Sequence, residues 1–217
     1  MMTIDMNADI IVIAKTPVAG RVKTRLTPAY SPAEAAMLAE AALRDTLAAV
    51  MGTPAGRRVL ALAGTPGPWL PDGVVVVAQR GDGLDERLAH AFDDAYAGRP
   101  LILIGMDTPQ VTSGLLTTAG AALRSHDAVF GPAADGGFWL LGLLRPDPAL
   151  LLGVPMSHPD TGRVQLDRLN QAGLTVAILP TLTDVDTPCT AAEVAGAAPH
   201  SRFAASVRAL ARTTAPT

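Results

Sequence analysis

Four positive side chains, Lys15, Arg21, Lys23 and Arg25, fall within eleven residues of a chain whose net charge is −3. Lysine supplies point charge and arginine a fork of donors, a combination suited to a di- or triphosphate. Gly20, between them, lets the backbone approach a ligand closely. The stretch is not a Walker loop, which needs a second glycine before Lys-Ser/Thr. A solvated basic loop is the plain alternative. The position directly after the apolar run Asp9–Ala14 favours the phosphate site.

Acidic residues recur at comparable places. Asp107, in Gly105-Met106-Asp107-Thr108-Pro109, follows another apolar run, where it can hold a divalent ion against phosphate oxygens or cap the next helix. Asp184 and Asp186 alternate along an extended segment, so both point to one side. Two carboxylates on one side are costly unless a cation lies between them. Asp186 alone reads equally as a helix cap. Asp135, in Ala134-Asp135-Gly136-Gly137, reads first as a hairpin turn. As chemistry, the same loop presents Asp135 to an acceptor hydroxyl or amine as a ligand or base. Gly83 and Asp85 open a helix whose free N–H groups suit an anion or ribose, although a first-turn acid is commonplace.

The elements that must position these loops follow from periodicity. Asp9–Ala14, Arg58–Ala63, Val74–Ala78, Leu101–Gly105, Ala128–Phe130, Phe138–Leu143 and Thr175–Leu179 read as short strands, several apolar enough to be buried on both faces. Ser31-Pro32-Ala33-Glu34 is a capping box with proline at the first helical position. Its helix is expected to run to about Val50 on a stripe of Met37, Leu38, Ala41, Leu47 and Val50. Further helices are expected at Leu84–Ala97, with Leu88, Ala91, Phe92 and Ala95 inward, at Thr112–Leu123, at Thr161–Gln171, and after Thr187. The tail beyond about Arg208 reads as frayed. Alternating strands and helices imply one α/β domain over 1–217 with a mainly parallel sheet. In such sheets ligands collect at the carboxyl ends of the strands, where the charged loops lie.

Composition narrows the partners. A chain of 217 residues with 49% apolar residues can bury one proper core. A net charge of −3 offers no field to nucleic acid. Asp5 and Asp9 sit where a signal peptide would want positive charge, and no apolar run spans a bilayer, so a cytoplasmic protein is expected. Cys189 can form no internal disulfide and is expected to be buried.

These segments in this order resemble a bacterial family of transferases with the glycosyltransferase-A fold. Its members are often labelled arsenosugar-biosynthesis-type or radical-SAM-associated transferases. The resemblance rests on Ala14–Leu26, Gly83–Leu88, Gly105–Pro109, Gly131–Gly142 and Asp184–Thr187, and covers nearly the whole chain. More distantly the chain is similar to the guanylyltransferases of molybdenum cofactor and coenzyme F420. The resemblance implies a three-layer α/β/α nucleotide-diphospho-sugar transferase domain. It implies Mg²⁺ or Mn²⁺ on Asp107, Asp184 and Asp186, and phosphates on Lys15, Arg21, Lys23 and Arg25. Met106, Met156 and Phe138 stand where the family usually has Ser, an aromatic residue and Tyr. Glycosyl transfer from a nucleotide sugar to a small acceptor is the first expectation, with Asp135 as base. Nucleotidylyl transfer from an NTP to a phosphorylated or carboxylate molecule is the second, and a silent nucleotide-binding module the third.

Overall fold

The computed structural model describes residues 8–213; Asp5 lies outside them. The first strand, β1 (Asp9–Lys15), is buried on both faces. Ile10, Val12 and Ala14 enter one core and Ile11 the opposite one, the two-residue period of a strand inside a layered fold. Around it lie β2 (Arg58–Ala63), β3 (Val75–Ala78), β4 (Leu101–Gly105), β5 (Ala128–Pro132), β6 (Phe138–Leu143) and β7 (Val176–Ile178). They form one sheet in the order β3-β2-β1-β4-β6-β5-β7. Every pairing is parallel except the two made by β6, which runs against β4 and β5.

Helices cover both faces. Helix α1 (Pro32–Met51) starts with the expected capping box, Ser31 Oγ accepting from Glu34 N–H while Glu34 accepts from Ser31 N–H. With α3 (Ser113–Ala122) it packs on the Ile10–Val12 face, through Ala39, Leu43, Leu47, Leu116 and Ala119. On the other face α2 (Leu84–Ala95) buries Leu88, Ala91, Phe92 and Ala95, and α4 (Thr161–Gln171) buries Leu169. A third cluster joins α1 to α5 (Pro188–Ala197) and α6 (Arg202–Thr213). No described helix is long and apolar enough to cross a membrane.

Three expectations are corrected. Met37 is half exposed, because α1 turns Leu38 and Ala42 toward α5 and α6, and Leu43 toward the sheet. The segment beyond Arg208, expected to fray, is helical as far as Thr213, and residues 214–217 of that tail lie outside the described residues. Phe203 and Ala204 anchor it, and Asp45 of α1 accepts from the N–H groups of Arg202 and Phe203 at 3.1 and 2.8 Å. A carboxylate from a distant helix therefore caps the first turn of α6. Cys189 is exposed, since its position in the first turn of α5 faces away from the third cluster.

Candidate active site

At the carboxyl edge of the sheet the charged loops are laced together by main-chain bonds. Val185 N–H donates to Asp107 O at 2.9 Å, tying the segment before α5 to the loop after β4. Ala134 N–H donates to Leu182 O at 2.9 Å and Leu182 N–H to Pro132 O at 3.1 Å, tying the same segment to the end of β5. Gln110 Nε2 adds a bond to Thr183 O at 2.7 Å. Asp107, Asp135 and Asp184 are thereby carried by three loops that cannot move independently.

The basic loop meets these acids from β1. A turn closes from Arg21 N–H to Val18 O at 3.0 Å, with Gly20 at φ 74°. Lys23 adopts a left-handed conformation, φ 49° and ψ 38°, at the start of a 3₁₀ turn over Thr24–Leu26. Its ammonium lies 2.7 Å from Asp107 Oδ1, with only 10% of the lysine side chain exposed. Arg25 Nη1 lies 2.5 Å from Asp186 Oδ2 and is largely exposed. Lys15 and Arg21 are exposed and make no ion pair among the described residues. The loop is also held from below, where Lys15 N–H meets Met106 Sδ at 3.4 Å.

Asp184 is the most perturbed group here. Burial pushes its carboxyl up to about 7; Asp107, Asp135 and Asp186 push the same way, and Lys23 opposes them. Its Oδ1 is buried and has no partner. Thr108 Oγ1 and Gln110 Oε1 are likewise buried without partners on the loop after β4. The Arg25 guanidinium is held protonated first by its hydrogen bond to Asp186, and it also senses Asp135. The acids of four loop positions thus share one electrostatic neighbourhood.

The donor set suits a hard cation in chemistry: three carboxylates, one of them with an orphaned buried oxygen. As the side chains stand, Lys23 and Arg25 cover two of the three carboxylates. Among the described residues no three His, Cys, Asp or Glu groups are gathered as a metal cage.

Asp135 sits in the tight connection between β5 and β6, so the hairpin turn and the candidate acceptor loop are one object. Its Oδ1 accepts from Gly137 N–H at 2.8 Å. Gly136 has φ 90°, and a Cβ there would lie 1.9 Å from Pro159 O. Gly162 N–H donates to Gly136 O at 2.7 Å, at the start of α4. A side chain at Gly162 would meet Gly137 O at 2.5 Å. Behind the loop Trp139 is buried with its Nε1–H on Pro180 O at 3.0 Å, which places it in the core.

The start of α2 stands apart from this cluster in its bonding. Gly83 is its extended N-cap with no side-chain cap. Asp85 Oδ2 accepts from Gly153 N–H at 2.9 Å, so that carboxylate is engaged in holding a turn. Glu86 instead reaches Asp82 N–H at 2.8 Å. Gln79, which sequence reasoning passed over, donates from Nε2 to Ala14 O and Ala61 O at 2.7 and 2.9 Å, closing the ends of β1 and β2. A polar residue one position past an apolar strand was its only signal.

The architecture is that of the nucleotide-diphospho-sugar transferase fold. The chain belongs to a bacterial family, described as "Uncharacterized protein conserved in bacteria (DUF2064)", whose model matches residues 35–158. It is similar to a Desulfovibrio desulfuricans G20 protein whose assignment as a nucleotide-diphospho-sugar transferase is itself provisional. The two share 28% identity over 95% of this chain and 97% of that one, with a TM-score of 0.82. The fold is also that of 2-C-methyl-D-erythritol 4-phosphate cytidylyltransferase from Thermus thermophilus, at 16% identity, 93% and 98% coverage and TM-score 0.52. Mycobacterium tuberculosis H37Rv Rv0371c in complex with manganese shares it too, at 21% identity, 87% and 97% coverage and TM-score 0.50. No curated protein matches the chain.

Proposed function

We propose that this protein is a metal-dependent, nucleotide-using transferase that moves a glycosyl group from a nucleotide sugar to a small hydroxyl acceptor. The observation that carries the proposal is Asp184, a partly buried carboxylate with a buried, unpartnered oxygen, set among three further acids beside a loop of four cations. A protein without a ligand at this edge has no use for so costly a cluster. The assignment of the Desulfovibrio protein supports the same class.

Asp107, Asp184 and Asp186 are the residues that would hold Mg²⁺ or Mn²⁺, which when bound supplies positive charge to the leaving diphosphate. Lys15 and Arg21, which form no ion pair among the described residues, bind phosphate oxygens, joined by Lys23 and Arg25. Gly83 lies at a helix start that faces the same edge and contributes N–H groups to the nucleotide. Asp135, fixed at Oδ1 by Gly137 N–H, keeps Oδ2 for the acceptor. It takes the hydroxyl proton as the acceptor oxygen bonds to the anomeric carbon and the bond to diphosphate breaks. Gly136 makes room for Pro159 O and Gly137 for the Asp135 carboxylate, so both glycines shape the turn that presents Asp135 to the acceptor.

One observation favours nucleotidylyl transfer as the second reading: four cations exceed what a diphosphate requires. The deciding experiment incubates the protein and Mg²⁺ with pooled nucleotide sugars or pooled NTPs, each with candidate acceptors. Nucleoside diphosphate released from a sugar donor is the expected result. Pyrophosphate released from NTPs alone transfers the assignment to the second reading, and no turnover with either overturns both.

A further inference from the structure

Two cations of the basic loop, Lys23 and Arg25, are already engaged with carboxylates. Lys23 Nζ lies 2.7 Å from Asp107 Oδ1, and the same charge opposes the upward push on Asp184. Arg25 Nη1 lies 2.5 Å from Asp186 Oδ2, and its charge is also felt by Asp135. Lys15 and Arg21, by contrast, are exposed and unpaired among the described residues. One loop therefore carries two kinds of cation, two available to an incoming anion and two serving as internal counter-ions of the acidic cluster.

We infer that Lys23 and Arg25 are exchangeable stand-ins for a divalent cation. They neutralise Asp107 and Asp186 until a metal takes the carboxylates, and are then handed to the polyphosphate. This inference rests on the phosphate and metal reading above and specifies how the two ligands are coupled.

Lys23 cannot keep its full pairing with Asp107 while giving its ammonium to a phosphate, because an ammonium at 2.7 Å is a direct contact. Polyphosphate arriving alone strips Asp107 of its counter-ion and leaves it beside Asp184, a like-charge arrangement in a partly buried place. A divalent ion arriving alone must displace Lys23, whose side chain is nine-tenths buried and whose charge also acts on Asp184. Each ligand alone meets a cost that the other removes, and such coupling is reciprocal. Lys23 occupies its buried place from a left-handed conformation at the start of the 3₁₀ turn, between the exposed Arg21 and Arg25. Electrostatics supply the ordering of the loop's cations: Lys15 and Arg21 capture the anion first, and Lys23 and Arg25 transfer afterwards.

The test measures binding of Mn²⁺ alone and of inorganic tripolyphosphate alone by calorimetry, in the full chain without substrate. The variants are Lys23→Met, Arg25→Met and Arg21→Met. Lys23→Met is expected to bind Mn²⁺ alone about tenfold to a hundredfold more tightly, and tripolyphosphate correspondingly more weakly, opposite signs from one substitution. Arg25→Met, at a largely exposed side chain that cannot endanger the fold, is expected to shift both in the same directions by less. Arg21→Met is expected to weaken tripolyphosphate and leave Mn²⁺ within about twofold, because Arg21 covers no carboxylate. Mn²⁺ binding that appears only in Lys23→Met supports the inference in its limiting form. Mn²⁺ affinity unchanged or weakened in Lys23→Met and Arg25→Met, with tripolyphosphate still weakened, overturns the exchange and spares the phosphate site. Tripolyphosphate affinity unchanged in all three variants overturns the phosphate reading itself.

Discussion

Replacing Gly162 by alanine sets helix propensity against sterics at the candidate acceptor loop. Within a helix, alanine is favoured over glycine by about 0.5–1 kcal/mol. At Gly162, however, a Cβ would lie 2.5 Å from Gly137 O and 3.0 Å from Gly136 O. Both obstacles are main chain, so no side-chain rotation relieves them. Overpacking of this kind costs about 1–3 kcal/mol. The 2.7 Å bond from Gly162 N–H to Gly136 O is stretched as well, at about 0.5–1.5 kcal/mol. The obstruction outweighs the propensity gain, and Gly162→Ala is expected to lose about 1–3 kcal/mol in urea unfolding. Gly196 provides the internal reference. It also lies in a helix, α5, but nothing stands within 4 Å of its added Cβ. Gly196→Ala is expected to gain up to about 1 kcal/mol. The turn displaced by Gly162→Ala carries Asp135, so KM for the acceptor should rise while tripolyphosphate affinity stays unchanged. A Gly162→Ala protein more stable than the parent, or one equally stable with acceptor KM unaltered, would refute the claim that α4 sets the position of this turn.

Other outcomes follow from the same geometry. Because the Asp184 carboxyl is raised to about 7, the metal-free folded protein holds a proton there that the unfolded chain releases near pH 4. Asp184 therefore costs nothing below that pH, and its cost grows as pH rises from about 4 to about 7, up to about 4 kcal/mol. Asp184→Asn should flatten the pH dependence of urea stability over that interval and stabilise the protein at pH 8; an unchanged slope would discard the assignment. Asp45→Ala should cost about 1–3 kcal/mol, since two N–H groups of α6 lose their acceptor, and hydrogen exchange should rise first in residues 202–213. Lys15→Ala and Arg21→Ala should each weaken tripolyphosphate about ten- to a hundredfold, measured by calorimetry. Unaltered affinity in both removes them from the phosphate site.

Much of the fold is legible because its signals are local. The Ile-Ile-Val-Ile run of β1, the capping box at Ser31 and the Thr187–Pro188 helix start each carry their structure in a few neighbouring residues. Placing the loops at one sheet edge follows from strand–helix alternation. The antiparallel course of β6 shows only in the hairpin signal of Asp135-Gly136-Gly137, because the apolar run itself reads the same in either direction. Helix α6 has a local cap in Ser201, whose Oγ accepts from Ala204 N–H at 3.0 Å, but its second acceptor is Asp45, over 150 residues earlier in the chain, which no local reading finds. Met37 reads as inward because periodicity defines a stripe but not how many partners a helix has. At the candidate site, residue types point to Lys23, Arg25, Asp107, Asp184 and Asp186. Their mutual pairing is invisible in the sequence, where the acids read against a metal and the bases against phosphate. Gln79, Gln110 and Gly162 act through main-chain atoms of distant segments and leave no motif.

The bond from Gly162 to Gly136 also bears on protein engineering. Hairpin turns are ordinarily the easiest segments to graft, because only two strand ends must be matched. Here the turn over residues 133–137 is keyed to residues 159–162, with Gly136 fitted against Pro159 O and Gly162 against the carbonyls of Gly136 and Gly137. A transplant of the turn alone into a related scaffold would arrive without its seat. Altering acceptor preference by loop exchange therefore requires the two segments to travel together, as a discontinuous cassette.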